Sequence, residues 1–174
     1  MSWREFLGSI LWIWGKSVGK QGYYLTKLYH RSLPTATHCQ DDEVLYLPII
    51  VDSAEGSPTA AAEAARSIRK YLDTKYVAEP QLQYNAIMLM RILVDHPGKT
   101  FTRNLDQRFA DKVKDMFKNG RDPGVMQLLA ETLDYFDATK GDDEELQYLR
   151  AVWQKQKASS AKYQTPSGSR RVCL

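Results

Sequence analysis

The sequence is short of the residues from which catalytic and metal centres are made. It has two cysteines, Cys39 and Cys173, in stretches that read as linker and tail. Nothing in their placement demands a disulfide, so a reducing compartment is the default expectation. It has three histidines, His30, His38 and His96. "HCQDD" at His38–Asp42 gathers potential ligands, but a structural zinc site takes four at set spacings, and no second cluster exists. There is no glycine-rich phosphate loop and no nucleophile elbow. The net charge is only +3 over 174 residues, which gives no push toward nucleic acid. No apolar run reaches the about 20 residues of a membrane span. "FLGSILWIW" (Phe6–Trp14) comes nearest, and no small-residue cleavage site follows it, so a removed signal peptide is not expected. These absences lead to the expectation of a non-enzymatic binding module with no cofactor and no metal site.

What is present is helical pattern. "QYNAIMLMRILVDHPGKTF" (Gln83–Phe101) carries eight Ala, Ile, Met, Leu or Val among its first twelve residues. It is too long for a buried strand and rich in helix formers. The spacing predicts a helix from about Pro80 to His96, with Pro80 at its first position and Gly98 at its exit. Rotation by about 100° per residue puts Gln81, Asn85, Arg91 and Asp95 on one narrow polar stripe, interrupted by Met88 and Ile92. A helix with so thin a stripe packs on both flanks, as the centre of an all-α layered or superhelical domain. On that stripe Arg91 is expected to pair with Asp95 one turn later. His96 is expected to cap the helix end.

Around this helix stand other capped patterns. "DDEVLYLPIIVDSAEG" opens with acids, and Pro48 is expected to kink it or split it. "SPTAAAEAARSIRKYL" has Ser57 as N-cap and Pro58 behind it. Leu105, Phe109, Val113 and Phe117 recur every four residues in a helix ending at Gly120. Asp122 and Pro123 start another that ends near Gly141. "DDEELQYLRAVWQKQK" has acids in its first turn and Lys155 and Lys157 in its last, which suits the helix dipole better than a pair of catalytic carboxylates. The expected organisation is an aromatic, basic segment and linker at 1–40, a helical domain at 41–157 and a basic, disordered tail at 158–174.

The order of "LPIIVDSAEGSPTAAAEAARSIRKYL", "YNAIMLMRILVDHPGKTFTRNLD", "RDPGVMQLLAETLDYF" and "EELQYLRAVWQK" resembles a VHS domain of the ENTH/VHS superfamily. It is most similar to the fungal VHS–GAT adaptor proteins. The likeness covers Asp41 to Lys157, about two thirds of the chain. It implies a right-handed superhelix of about six to eight helices and a cytoplasmic adaptor of endocytosis and endosomal sorting. Such an adaptor is peripheral to endosome, plasma membrane or cortical actin patch. Its implied partners are ubiquitin or ubiquitinated cargo, acidic sorting peptides, phosphoinositide membranes and actin-patch proteins. No GAT module follows within these 174 residues. The Trp that ubiquitin-binding VHS domains carry in the second helix is missing, and Leu45 and Tyr46 are the nearest bulky residues, hence the candidate ubiquitin contact. In cargo-sorting VHS domains the late helices form a groove for acidic di-leucine peptides, and Arg121, Arg150, Lys155 and Lys157 are the candidate cations for it here. The alternative is a nuclear domain of similar shape that binds phosphorylated RNA polymerase tail peptides, which needs a groove with an Arg beside a Tyr or Asp.

The N-terminal segment falls outside that likeness. Trp3, Leu7, Ile10, Leu11, Trp14 and Val18 share one side at helical spacing, and residues 1–33 carry a net +4. Aromatic bulk with cations behind it suits a helix lying in a membrane interface. Trp3, Leu7, Ile10, Leu11, Trp14, Lys16 and Lys20 are therefore candidate contacts with an anionic phosphoinositide membrane. The opposing expectation is that this segment packs on its own domain.

Overall fold

The computed structural model describes residues 5–8, 10 and 41–163. No strand occurs among them, and the fold is all-α and superhelical, as the capped patterns predict. Among the described residues from Asp41 to Tyr163, seven α-helices run in order: α1 (Asp41–Gly56), α2 (Pro58–Tyr71), α3 (Pro80–Asp95), α4 (Lys99–Thr102), α5 (Gln107–Asn119), α6 (Pro123–Thr139) and α7 (Gln147–Tyr163). Short 3₁₀ turns, Thr74–Tyr76 and Glu144–Leu146, lead into α3 and α7.

The caps explain the boundaries. Ser57 Oγ accepts the Ala60 amide at 3.3 Å, Asp106 Oδ1 that of Phe109 at 2.9 Å, and Asp122 Oδ1 that of Val125 at 2.9 Å. Each satisfies an amide that a helix start leaves without a partner. At the end of α3, Gly98 takes φ 66° and its N–H reaches the Leu93 carbonyl at 3.2 Å. That left-handed turn favours glycine. His96 caps α3 through its backbone N–H on the Ile92 carbonyl. Of the two outcomes expected at Pro48, the split does not occur, and α1 runs through it as one helix. Pro48 is exposed on α1, and it lacks the N–H that would bond the carbonyl one turn before it.

α3 packs against α2 and α6, with Leu82, Ala86, Ile87, Leu89, Met90, Leu93 and Val94 buried. Ala60, Ala61, Ala64 and Ala65 are also buried. Their small side chains let α2 approach α1 and α3 closely. The polar stripe of α3 is narrower than its rotation predicts. Asn85 is buried, and its Oδ1 accepts from Gln81 Nε2 at 2.9 Å. Gln83 is buried too. Met88 and Ile92 are half-buried, as their intrusion into the stripe implies. Arg91 does not pair with Asp95. Its guanidinium lies 4.7 Å from the centroid of the Tyr135 ring, while Asp95 accepts the Tyr135 hydroxyl at 3.1 Å and pairs with Lys140 at 3.1 Å. The cation–π contact and the tyrosine bridge draw the two charges to a neighbour on α6 instead of to each other.

The N-terminal residues join the core. Phe6, Leu7 and Ile10 are fully buried, and the Phe6 ring lies 5.2 Å from that of Tyr71. In this fold Leu7 and Ile10 are core residues and present nothing to a bilayer. Of the two expectations for the segment, packing on its own domain holds for these residues. Trp3, Leu11, Trp14, Lys16 and Lys20 lie outside the described residues, as do both cysteines. At the other end α7 runs to Tyr163, six residues past the expected domain boundary at Lys157.

A candidate docking groove between α5 and α7

Two helical stripes face each other here. On α5, Gln107, Asp111, Lys114 and Lys118 follow one another at steps of four, three and four residues, which keeps them on one side. On α7, Tyr148, Val152, Lys155 and Ser159 do the same. Both stripes flank faces committed to the core: Phe109, Val113 and Met116 on α5, Leu149 and Trp153 on α7. Packing of α5 on α7 therefore leaves a groove of about 290 Å³ between the stripes. Its apolar surface comes from Phe117, Val152 and the ring of Tyr148, which is 41% exposed. Lys114, Lys118 and Lys155 supply its charge, against Asp111 alone. Among the described residues none of these lysines forms an ion pair. Asp111 is held by Gln107, whose Nε2 donates to it at 3.1 Å.

The far side of α7 is arranged differently. Arg150 Nη1 donates to the Gly141 carbonyl at 2.6 Å, and its Nε lies 3.4 Å from Asp137. Lys157 Nζ sits 2.9 Å from Asp137 and 3.6 Å from Asp134. Gln154 Nε2 donates to Asp137 at 2.8 Å, and Trp153 Nε1 donates to Asp134 at 2.8 Å. These contacts clamp α7 onto α6. The hydrogen bond from Lys157, with help from Arg150, holds the Asp137 carboxyl below its ordinary range, and Asp137 in turn raises Lys157.

The four cations proposed from sequence are thus not brought together. Lys155 lines the groove. Arg150 and Lys157 are engaged in the α6–α7 clamp, because the acids of α6 lie within reach of that side of α7. Arg121 is exposed in the connection between α5 and α6. Lys114, Lys118 and Tyr148 are not among the sequence candidates, although the four-three-four spacing of both stripes is legible in the chain. What the spacing lacked was which exposed stripe of α5 would face which stripe of α7.

The candidate ubiquitin contact fares likewise. Tyr46 is 2% exposed and belongs to the core, where a partner protein has no access to it. Nothing is described of the Leu45 side chain. The acidic run Asp142–Glu145 lies ahead of α7, and Asp143 caps the 3₁₀ turn, accepting the Glu145 amide at 3.1 Å and the Thr102 hydroxyl at 3.0 Å. Among the described residues no group of three His, Cys, Asp or Glu is placed to hold a metal, and no helix is long and apolar enough to cross a membrane. No protein-family model matches the chain, and no curated protein matches it.

Proposed function

We propose that the chain is a non-enzymatic docking module of the VHS type, whose α5–α7 groove binds acidic peptides bearing bulky aliphatic residues. The observation that carries this reading is the groove's composition: three lysines that form no ion pair among the described residues, around an apolar strip of Phe117, Val152 and Tyr148. Acidic side chains pair with the lysines, and aliphatic ones cover the strip. This composition and the resemblance in segment order both support reading the chain as an adaptor of endocytosis and endosomal sorting, acting beside membranes and the cortical actin cytoskeleton. Ubiquitin recognition has weaker support, because Tyr46 is buried. Titrating the full chain with an acidic di-leucine peptide tests the reading. The expected result is NMR shift changes concentrated at Lys114, Phe117, Lys118, Tyr148, Val152 and Lys155. An unperturbed groove at saturating peptide refutes it.

One observation favours the nuclear alternative. Arg91, Tyr135 and Asp95 are joined on the α3–α6 face, the residue types that a phosphorylated polymerase tail would require. Against it, Asp95 and Tyr135 already use each other, and Asp95 lies next to the position a phosphate would take. Shifts centred on Arg91 with a tail phosphopeptide, and none with the di-leucine peptide, would reverse the preference.

A further inference from the structure

We infer that Tyr148 is a phosphorylation switch for this groove: a phosphate on its hydroxyl is held by the lysine rim and excludes an acidic peptide. The inference rests on the acidic-peptide reading of the groove and adds its regulation. Among the described residues Tyr148 and Tyr84 are the exposed large hydrophobic side chains, at 41% and 40%. Tyr148 stands in a groove with lysines. Among the described residues its hydroxyl makes no hydrogen bond, and neither Lys114, Lys118 nor Lys155 has an ion-pair partner.

Sequence context adds a second, independent observation. Tyr148 follows Asp142, Asp143, Glu144 and Glu145 with Leu146 and Gln147 between, and three of those acids are exposed. An acid-directed kinase that phosphorylates tyrosine reads such a run. Tyr84 has only Glu79 in the six residues before it. The reaction moves the terminal phosphoryl group of ATP to the phenolic oxygen. The new O–P bond forms as the bond from that phosphorus to the bridging oxygen breaks, ADP leaves, and the phenolic proton passes to the kinase's base.

The consequence follows from charge. The groove side chains sum to +2: three lysines against Asp111. A phosphate carries about −1.5 to −2 at pH 7, which cancels them. Tyr148 lies in the first turn of α7, where the helix end also favours an anion. The phosphorylated ring then occupies the cations that an acidic peptide needs, and its own tip no longer serves as apolar surface.

The experiment uses the full chain with phosphotyrosine installed at position 148 during translation. The phosphorus NMR titration is expected to give a second phosphate pKa below the about 6 of an unperturbed phosphate. The triple variant Lys114→Gln, Lys118→Gln, Lys155→Gln should bring it back up. An acidic di-leucine peptide should bind the phosphorylated chain at least about ten-fold more weakly than the unmodified one. In a parallel reaction, the unmodified folded chain is incubated with ATP and an acid-directed tyrosine-phosphorylating kinase, and labelling is expected at Tyr148 ahead of Tyr84. Labelling of Tyr84 instead, a phosphate that titrates at the free value, or equal peptide affinity overturns the inference. A lowered phosphate pKa in a chain whose unmodified form ignores the peptide upholds the lysine capture and removes the acidic-peptide reading.

Discussion

The rings of Phe117 and Trp153 stack with centroids 5.7 Å apart and planes 24° from parallel, which fixes α5 against α7 beneath the groove. The indole N–H of Trp153 also reaches Asp134 on α6, so one side chain ties three helices together. Trp153→Ala should cost about 3–5 kcal/mol of stability through the lost ring. Trp153→Phe keeps a ring for Phe117 and loses the hydrogen bond, and should cost nearer 1–2 kcal/mol. Denaturant titrations of both variants check this. Equal losses would place the energy in the hydrogen bond instead of the stack.

Phe6 should matter to folding although a long segment separates it from α1. Its side chain is fully buried against Tyr71, so Phe6→Ala should cost roughly 3–5 kcal/mol. For the same reason deleting residues 1–32 should lower the thermal midpoint of the helical domain, whereas a separate membrane element would be removable without loss. A midpoint that stays put on deletion would show that the contact is absent in solution.

Leu89 probes the rotation of α3. It is fully buried at the centre of that helix, and Leu89→Ala should cost roughly 2–5 kcal/mol. Tyr84→Ala, on an exposed side of the same helix, should cost well under that. Reversed costs in a chemical denaturation series would mean that α3 buries a different face.

Acid should loosen the α6–α7 clamp. The Asp137 carboxyl is lowered from 3.8 by Lys157 and then Arg150, so its folded pKa lies below the unfolded one. Its contribution is present above the unfolded value and is lost as pH falls through the lowered folded value. Lys157 is raised from 10.5, chiefly by Asp137, so its share is complete below 10.5 and fades as pH rises through the raised folded value. Asp137→Asn should therefore lower the melting temperature at pH 7, and the gap from the parent should be narrower at pH 2. A gap of the same size at both pH values would show that the charge of Asp137 contributes nothing.

The two faces of α7 should separate in a binding assay. Lys114→Gln with Lys118→Gln should weaken binding of an acidic di-leucine peptide and reduce its sensitivity to salt. Arg150→Gln with Lys157→Gln should leave the peptide affinity unchanged and lower the melting temperature, because those cations bind Asp134 and Asp137. Loss of peptide binding in the second pair alone would move the site to the α6–α7 side.

The helices themselves were legible in the chain. Ser57, Asp122, the prolines behind them and Gly98 are local devices, and each acts on amides or carbonyls a few residues away. The heavy apolar content of α3 likewise announced a helix with neighbours on both flanks, since a sequence lays out its own periodicity. Even the limits of that logic are local: α1 runs through Pro48, because an exposed proline costs less than a buried one.

The pairing of side chains between helices was decided elsewhere. Arg91 and Asp95 are one turn apart and look like partners, yet each is held by residues some forty positions on, at Tyr135 and Lys140. Arg150, Lys155 and Lys157 stand within eight residues of one another, and the packing of α7 between α5 and α6 sends one to the groove and two to the clamp. Leu7 and Ile10 fit a membrane face or a core face by their spacing, and the packing of the helical domain buries both. Periodicity along a helix states which residues share a side. Which neighbour that side meets depends on distances between segments far apart in the chain, and these exist only once the helices have packed.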